Sequence, residues 1–118
     1  MTKFILCCVF LLPACSANMT PVISDGEYVF KHRFAEHPNM DSIDLNVAIH
    51  NTLISVHNES VDSIFPLGLI DAGELFWHSQ TQQWIIVNDE QDRQASDVGG
   101  CSGGPSVVDV ATQEYWTC

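Results

Sequence analysis

Period-two alternation of apolar and polar residues dominates the chain beyond residue 25. From Glu27 to Phe34, Tyr28, Phe30, His32 and Phe34 fall on one side, and Val29, Lys31 and Arg33 on the other. That spacing predicts a strand with one buried face. Ala35–Asp41 reads as a turn around Pro38-Asn39. Ser42–Ile49 alternates most cleanly, with Ile43, Leu45, Val47 and Ile49 pointing one way. A tight turn at His50-Asn51 then returns the chain through Thr52–His57, with Ile54 and Val56 inward, as a β-hairpin.

The second half is more interrupted. Asn58–Ser63 is polar and loop-like. Ile64–Ile70 is apolar but carries Pro66 and Gly68, which suits an edge or bent segment. Glu74–His78 predicts a strand bearing Phe76 and Trp77. Trp84–Val87 is apolar on both faces and predicts a central strand. Asn88–Asp97 is a long, acidic, exposed loop, and a short helix fits within 35–42 or within 90–98. Gly99–Pro105 is a glycine-rich turn, and Ser106–Val110 with Glu114–Cys118 form a last hairpin. No segment has the pattern of a long amphipathic helix. Seven or eight short strands predict an all-β domain, a small antiparallel sandwich or barrel.

Length and composition fit one such domain. The chain has 118 residues, of which 46% are hydrophobic, too many for a disordered polymer. Fifteen acidic residues, all beyond residue 24, face only Lys31, Arg33 and Arg93 there, a net charge of −12. Such a surface repels nucleic acid and attracts basic partners.

The first residues carry a different signal. Lys3 precedes the apolar run Phe4–Leu12, which suits a signal-peptide core and is too short to span a bilayer. It ends in Leu12-Pro13-Ala14-Cys15, which resembles the lipobox of bacterial lipoproteins, with Pro13 in place of the commoner small residue. The resemblance implies a signal peptide over 1–14, diacylglycerol on Cys15, and fatty acylation of the new amino terminus. A lipid-anchored tether then spans 15–25 and an acidic β-rich domain spans 26–118. Ser16, where an aspartate would retain the protein at the inner membrane, implies the outer membrane. The alternative is a secretory leader cut after Ala17, giving a periplasmic or secreted protein.

With Cys7 and Cys8 in the leader and Cys15 acylated, Cys101 and Cys118 remain, and in an oxidising compartment they predict one disulfide. Two cysteines are too few for a structural metal site.

Candidate chemistry is sparse. Gly100-Cys101-Ser102-Gly103-Gly104-Pro105 resembles the segment around the nucleophile of chymotrypsin-like proteases. Cys101 departs from that pattern, and the chain is half the length of such a double barrel. A Gly-Pro turn is the better reading, and no catalytic residue is assigned. His32, His37, His50, His57 and His78 show no metal-ligand spacing, although His50 and His57 share one expected hairpin. The Asn88-Glu90-Asp92 alternation lacks the glycine of a calcium loop. No metal or cofactor is expected. The adjacent pairs Phe76-Trp77 and Tyr115-Trp116 must place one ring on each face of a strand, so Phe76, Trp77, Tyr115 and Trp116 are the candidate binding surface.

These features predict a non-enzymatic binding lipoprotein, held to the membrane through its N-terminal lipid. A sharper alternative is an inhibitor or immunity protein against a basic hydrolase or toxin. A structural envelope lipoprotein and a small-ligand barrel are the other classes.

Overall fold

A computed structural model describes residues 23–118, so the expected leader and Cys15 lie outside the described residues. Seven strands form one closed barrel in sequential order: β1 (Gly26–Phe34), β2 (Ile43–His50), β3 (Leu53–Asn58), β4 (Gly68–His78), β5 (Gln83–Val87), β6 (Val107–Asp109) and β7 (Glu114–Thr117). Each consecutive pair is antiparallel. The closing pair β1/β7 is parallel, an odd strand number leaving no other choice, with Lys31 opposite Glu114 and Phe34 opposite Thr117.

The predicted inward faces form the core. Phe30, Leu45, Val47, Ile54, Val56, Ile86 and Val108 are almost fully buried and pack together with Ile49, Leu75 and Tyr115. At about 25 cal/mol per Å² of apolar surface, burial of these side chains is the main favourable contribution to folding. A smaller cluster lies on the outer face of the barrel. Ile85, Val87 and Val107 pack there with Phe76 and Val98, which is why β5 reads as apolar on both sides. The covering segment runs from 88 to 106 and contains a short 3-10 helix, Glu90–Gln94, capped by the Asp89 carboxylate. Arg93 from this helix lies over the Phe76 ring at 5.1 Å and pairs with Glu74 and Glu90.

Three elements depart from the sequence expectation. The first turn sits at Asn51-Thr52, one residue later than expected, with His50 ending β2 and Asn51 at φ 60°. Asparagine is among the residues that adopt that left-handed conformation most readily. Asn58 belongs to β3 and is fully buried rather than in a loop. β4 begins at Gly68, six residues before the expected strand. A bulge makes this possible: Val56 opposes Asp71 and His57 opposes Leu69, leaving Ile70 unmatched. The extra residue resets the alternation, so Leu69 turns outward and is exposed, whereas Asp71 continues the inward side of β4 with Leu75, and its carboxylate accepts a hydrogen bond from the Tyr115 hydroxyl at 2.8 Å. Burial and the Asp71 charge hold that phenol well above the ordinary tyrosine range. Gly73, also on β4, lies so close to Val87 of β5 that a Cβ there would overlap the Val87 carbonyl.

Alternation of strand direction gives the barrel two distinct ends. The proximal end carries the entry into β1 and the turns near residues 51–52, 79–82 and 110–113. The distal end carries the loops 35–42 and 59–67, the 88–106 segment and Cys118. Residues 24–25 are fastened proximally, where Asp25 accepts from the Asn51 amide at 2.8 Å and the Tyr28 hydroxyl donates to the Ser24 carbonyl. Distally, the predicted disulfide joins Cys101 to Cys118 with a Cα separation of 4.5 Å, tying the closing strand β7 to the glycine-rich turn.

Candidate functional site

The aromatic side chains separate as strand alternation requires, and they separate unequally. Tyr115 points into the barrel and is 5% exposed, so it leaves the expected binding surface. Phe76 is covered by Arg93 and by the second cluster. Trp77 and Trp116 do line a surface cleft of about 370 Å³, and Trp84 joins them. These are all three tryptophans of the chain. The β4–β5 register brings two of them together: Trp77 directly opposes Trp84, with ring centroids 5.3 Å apart and planes at 70°. Trp116 arrives from β7, where it pairs with Val107 on one side and Arg33 on the other. The strands β5 and β6 share only two residue pairs, and the cleft opens along that short seam. Gln83 and Asp109 are its polar residues nearest the seam, and no lysine or arginine lines it. Asp109 is half engaged: Oδ1 accepts from the Ala111 and Thr112 amides at 3.0 Å, capping the last turn.

The sequence reading placed Trp84 in a buried central strand and missed its place here. The signal was the short Ser79–Gln82 connection, which forces residues 77 and 84 into register once a hairpin is assumed.

The distal end is a second feature. Asn58 holds the 59–67 loop from inside the barrel. Its amide donates to the carbonyls of Ser60, Phe65 and Pro66 at 2.9–3.2 Å and its oxygen accepts from the Ser60 amide. The loop turns Phe65 inward as a plug, edge-on to the buried His32 ring at 4.8 Å, with Phe34 edge-on at 4.5 Å. Having committed Phe65 inward, the loop leaves Val61 77% and Ile64 67% exposed, beside Leu67 and Leu69. Met40, from the adjacent 35–42 loop, is also exposed.

Charge pairing accentuates this end. Among the described residues each cation is engaged: Lys31 with Asp44 at 2.9 Å, Arg33 with Glu114 at 2.6 Å, and Arg93 with Glu74 and Glu90. Glu36, Asp41, Glu59 and Asp62 sit in the two distal loops, outside these pairs. The distal end therefore presents an apolar centre among carboxylates.

The remaining candidates resolve locally. The Ser102 hydroxyl donates to the Gly99 carbonyl at 2.8 Å and accepts from the Gly104 amide, the bonding of a turn residue. Gly99 has φ +71°, a conformation that suits glycine, in that same turn. His50 opposes Leu53 while His57 opposes Asn46, so the two do not face each other. His78 is buried, bonded to Thr81 and to the Ala95 carbonyl. His32 is buried, with Nε2 at 2.7 Å from Thr117 Oγ1 and Nδ1 without a partner, and burial holds its pKa below the ordinary histidine value. Glu36 lies near Cys101 and Cys118, but both sulfurs are spent in the disulfide. In the acidic loop, Asp89 and Asp92 accept from backbone amides of the helix cap and Glu90 pairs with Arg93, so these oxygens already have partners.

The fold and site together define a small closed β-barrel with a tryptophan-lined cleft and an acidic, apolar-centred distal end. Comparison with known proteins returns no matching family, no matching curated sequence and no matching solved structure.

Proposed function

We propose that this chain is an envelope lipoprotein that acts by binding rather than catalysis, and that its partner is a basic protein. Its lipobox-like Cys15 would anchor it to the outer membrane, two or more acyl chains being enough for stable attachment. The observation that carries the binding assignment is the distal end: exposed Val61, Ile64 and Leu67 among carboxylates, in a domain whose described cations are all engaged. An apolar centre with an acidic rim suits a partner that brings hydrophobic anchors within a cationic surround. Because β1 starts at the opposite end, a tether entering there would turn this surface away from the membrane. A basic hydrolase or toxin has the complementary charge, which favours the inhibitor or immunity class over a structural role. The self-contained Ser102 turn supports the non-catalytic reading.

The test uses the full-length lipoprotein and two variants. Cys15→Ala is expected to move the protein from the membrane pellet to the soluble fraction, and an unchanged pellet fraction refutes the anchor. Association is measured against a panel of cationic hydrolases that includes lysozyme. At least one should bind, weakening about tenfold or more between 50 and 300 mM salt, and Ile64→Glu/Leu67→Glu should abolish binding. No binding at low salt, or binding indifferent to the variant, refutes the assignment.

A further inference from the structure

The 59–67 loop carries the exposed side chains of the proposed partner surface, and one of its residues, Phe65, is turned inward onto a buried histidine. We infer that His32 is an acid-sensing latch for this loop: protonation of the ring expels Phe65, opens the loop and dismantles the surface formed by Val61, Ile64 and Leu67. Release of the loop needs no partner, whereas its effect on binding rests on the proposed distal surface.

The surroundings of the ring leave a charge without an outlet. His32 is 1% exposed. Its Nε2 is bonded to Thr117 Oγ1, and Nδ1 has no partner. A neutral ring has one N–H, which Thr117 can satisfy. An imidazolium has two, so protonation strands a charged donor in the barrel interior. From β7, the Tyr115 ring lies 6.1 Å away, and its hydroxyl donates to Asp71. Asp71, inward on β4, already accepts from Tyr115 and from Asn88. From β2, Ile43 stands opposite His32. On β1 itself, Lys31 and Arg33 alternate to the outer face and pair with Asp44 and Glu114. Glu36, His37 and Asp41 of one neighbouring loop, and Glu59 and Asp62 of the other, are exposed to water. None of these groups bonds Nδ1, and burial holds the ring's pKa below its ordinary value.

Two aromatic rings stand edge-on to His32, Phe34 at 4.5 Å and Phe65 at 4.8 Å, and they differ in freedom. Phe34 is fixed by strand pairing opposite Thr117. Phe65 lies on a loop held through the Asn58 side chain and its own packing. The loop is therefore the part that yields, and its opening lets water reach the ring. Once solvated, the ring titrates near 6.5. With the closed ring neutral, the open-to-closed ratio rises about thirtyfold from pH 7.5 to pH 5.

The full-length chain is labelled with 4-fluorophenylalanine at Phe65 and followed by fluorine NMR across that range at constant ionic strength. The signal should move toward that of a solvated ring as pH falls, while far-UV circular dichroism stays constant. Asn58→Ala, which weakens the closed loop, should raise the midpoint by about 0.5 pH unit or more. His32→Gln, which can still bond Thr117 but never charges, should keep the closed signal, and His37→Gln should titrate as the parent does. If His32→Gln does not fold, the ring signals of His32 in the parent must share the fluorine midpoint. Binding to the cationic hydrolase found at neutral pH should weaken about tenfold at pH 5 beyond the loss shown by His32→Gln. An unmoved fluorine signal, an equal shift in His32→Gln, unequal midpoints, or unfolding together with the shift overturns the latch. A failed hydrolase panel refutes the binding assignment and leaves the fluorine result to decide the latch. A fluorine shift with equal weakening in parent and His32→Gln overturns the control of binding.

Discussion

Replacing Asn58 with alanine removes four hydrogen bonds at once. The two N–H groups of its side-chain amide reach the carbonyls of Ser60, Phe65 and Pro66, one of them shared between two acceptors, and one bond returns from the Ser60 amide. Asn58 itself is fully buried, whereas Ser60 and Pro66 are exposed, so their freed groups can turn to water. The half-buried Phe65 carbonyl is less able to do so. At roughly 1 kcal/mol net per hydrogen bond, discounted for the exposed partners, the expected loss is about 2–3 kcal/mol. For a domain of this size that corresponds to a fall in Tm of roughly 10–20 °C. The loss should be read by thermal and urea unfolding of the disulfide-intact protein. Asn58→Asp supplies the discriminating comparison. It nearly matches asparagine in shape but turns an ionised oxygen toward three carbonyls, so at neutral pH it should destabilise at least as much as alanine. Refutation is equally concrete: an alanine variant within about 0.5 kcal/mol of the parent, or an aspartate variant more stable than the alanine one. Either would mean that the loop is held by Phe65 packing alone and that Asn58 is incidental.

Two further outcomes follow from the distal end of the barrel. The Cys101–Cys118 bond closes a loop of sequence separation 17, so Cys101→Ser/Cys118→Ser should cost about 3 kcal/mol and expose β7 amides first in hydrogen exchange; a loss under about 1 kcal/mol, with β7 still protected, contradicts this. His32 has its folded pKa lowered from 6.5 by burial, so the unfolded chain takes up the proton first. The stability owed to the neutral ring is therefore complete above about pH 6.5 and is lost as pH falls from there through the lower folded value. Tm should decline between pH 7.5 and 5 in the parent and decline less in His32→Gln, and parallel slopes in the two proteins would remove His32 as the cause.

Much of the barrel wall was legible in the chain because a strand writes its orientation locally. Phe30 and His32, Leu45 and Val47, and Ile54 and Val56 each sit two residues apart, and that spacing fixes which side of the strand is buried whatever the neighbouring strands do. The disulfide was legible for a chemical reason, since only Cys101 and Cys118 were left once Cys7, Cys8 and Cys15 were assigned to the expected leader and lipid site. The outward turn of Leu69 was not legible, because it depends on the extra residue at Ile70, and a bulge is defined only by the strand across from it. Asn58 was likewise read as a polar loop residue, since nothing in the chain shows that three carbonyls of the following loop will fold back onto its amide.

The three tryptophans show the same division. Alternation alone says that Trp77 and Trp116 each occupy one face of a strand. The contact of Trp77 with Trp84 depends on the register of the β4–β5 hairpin, and the place of Trp116 beside the same cleft depends on barrel closure carrying β7 round beside β1. Period-two patterning is a property of one strand and survives in a linear string of residues. Closure, shear and register are relations between strands, set by how seven tilted segments close into one sheet, so only the folded chain decides which aromatic rings share a cleft.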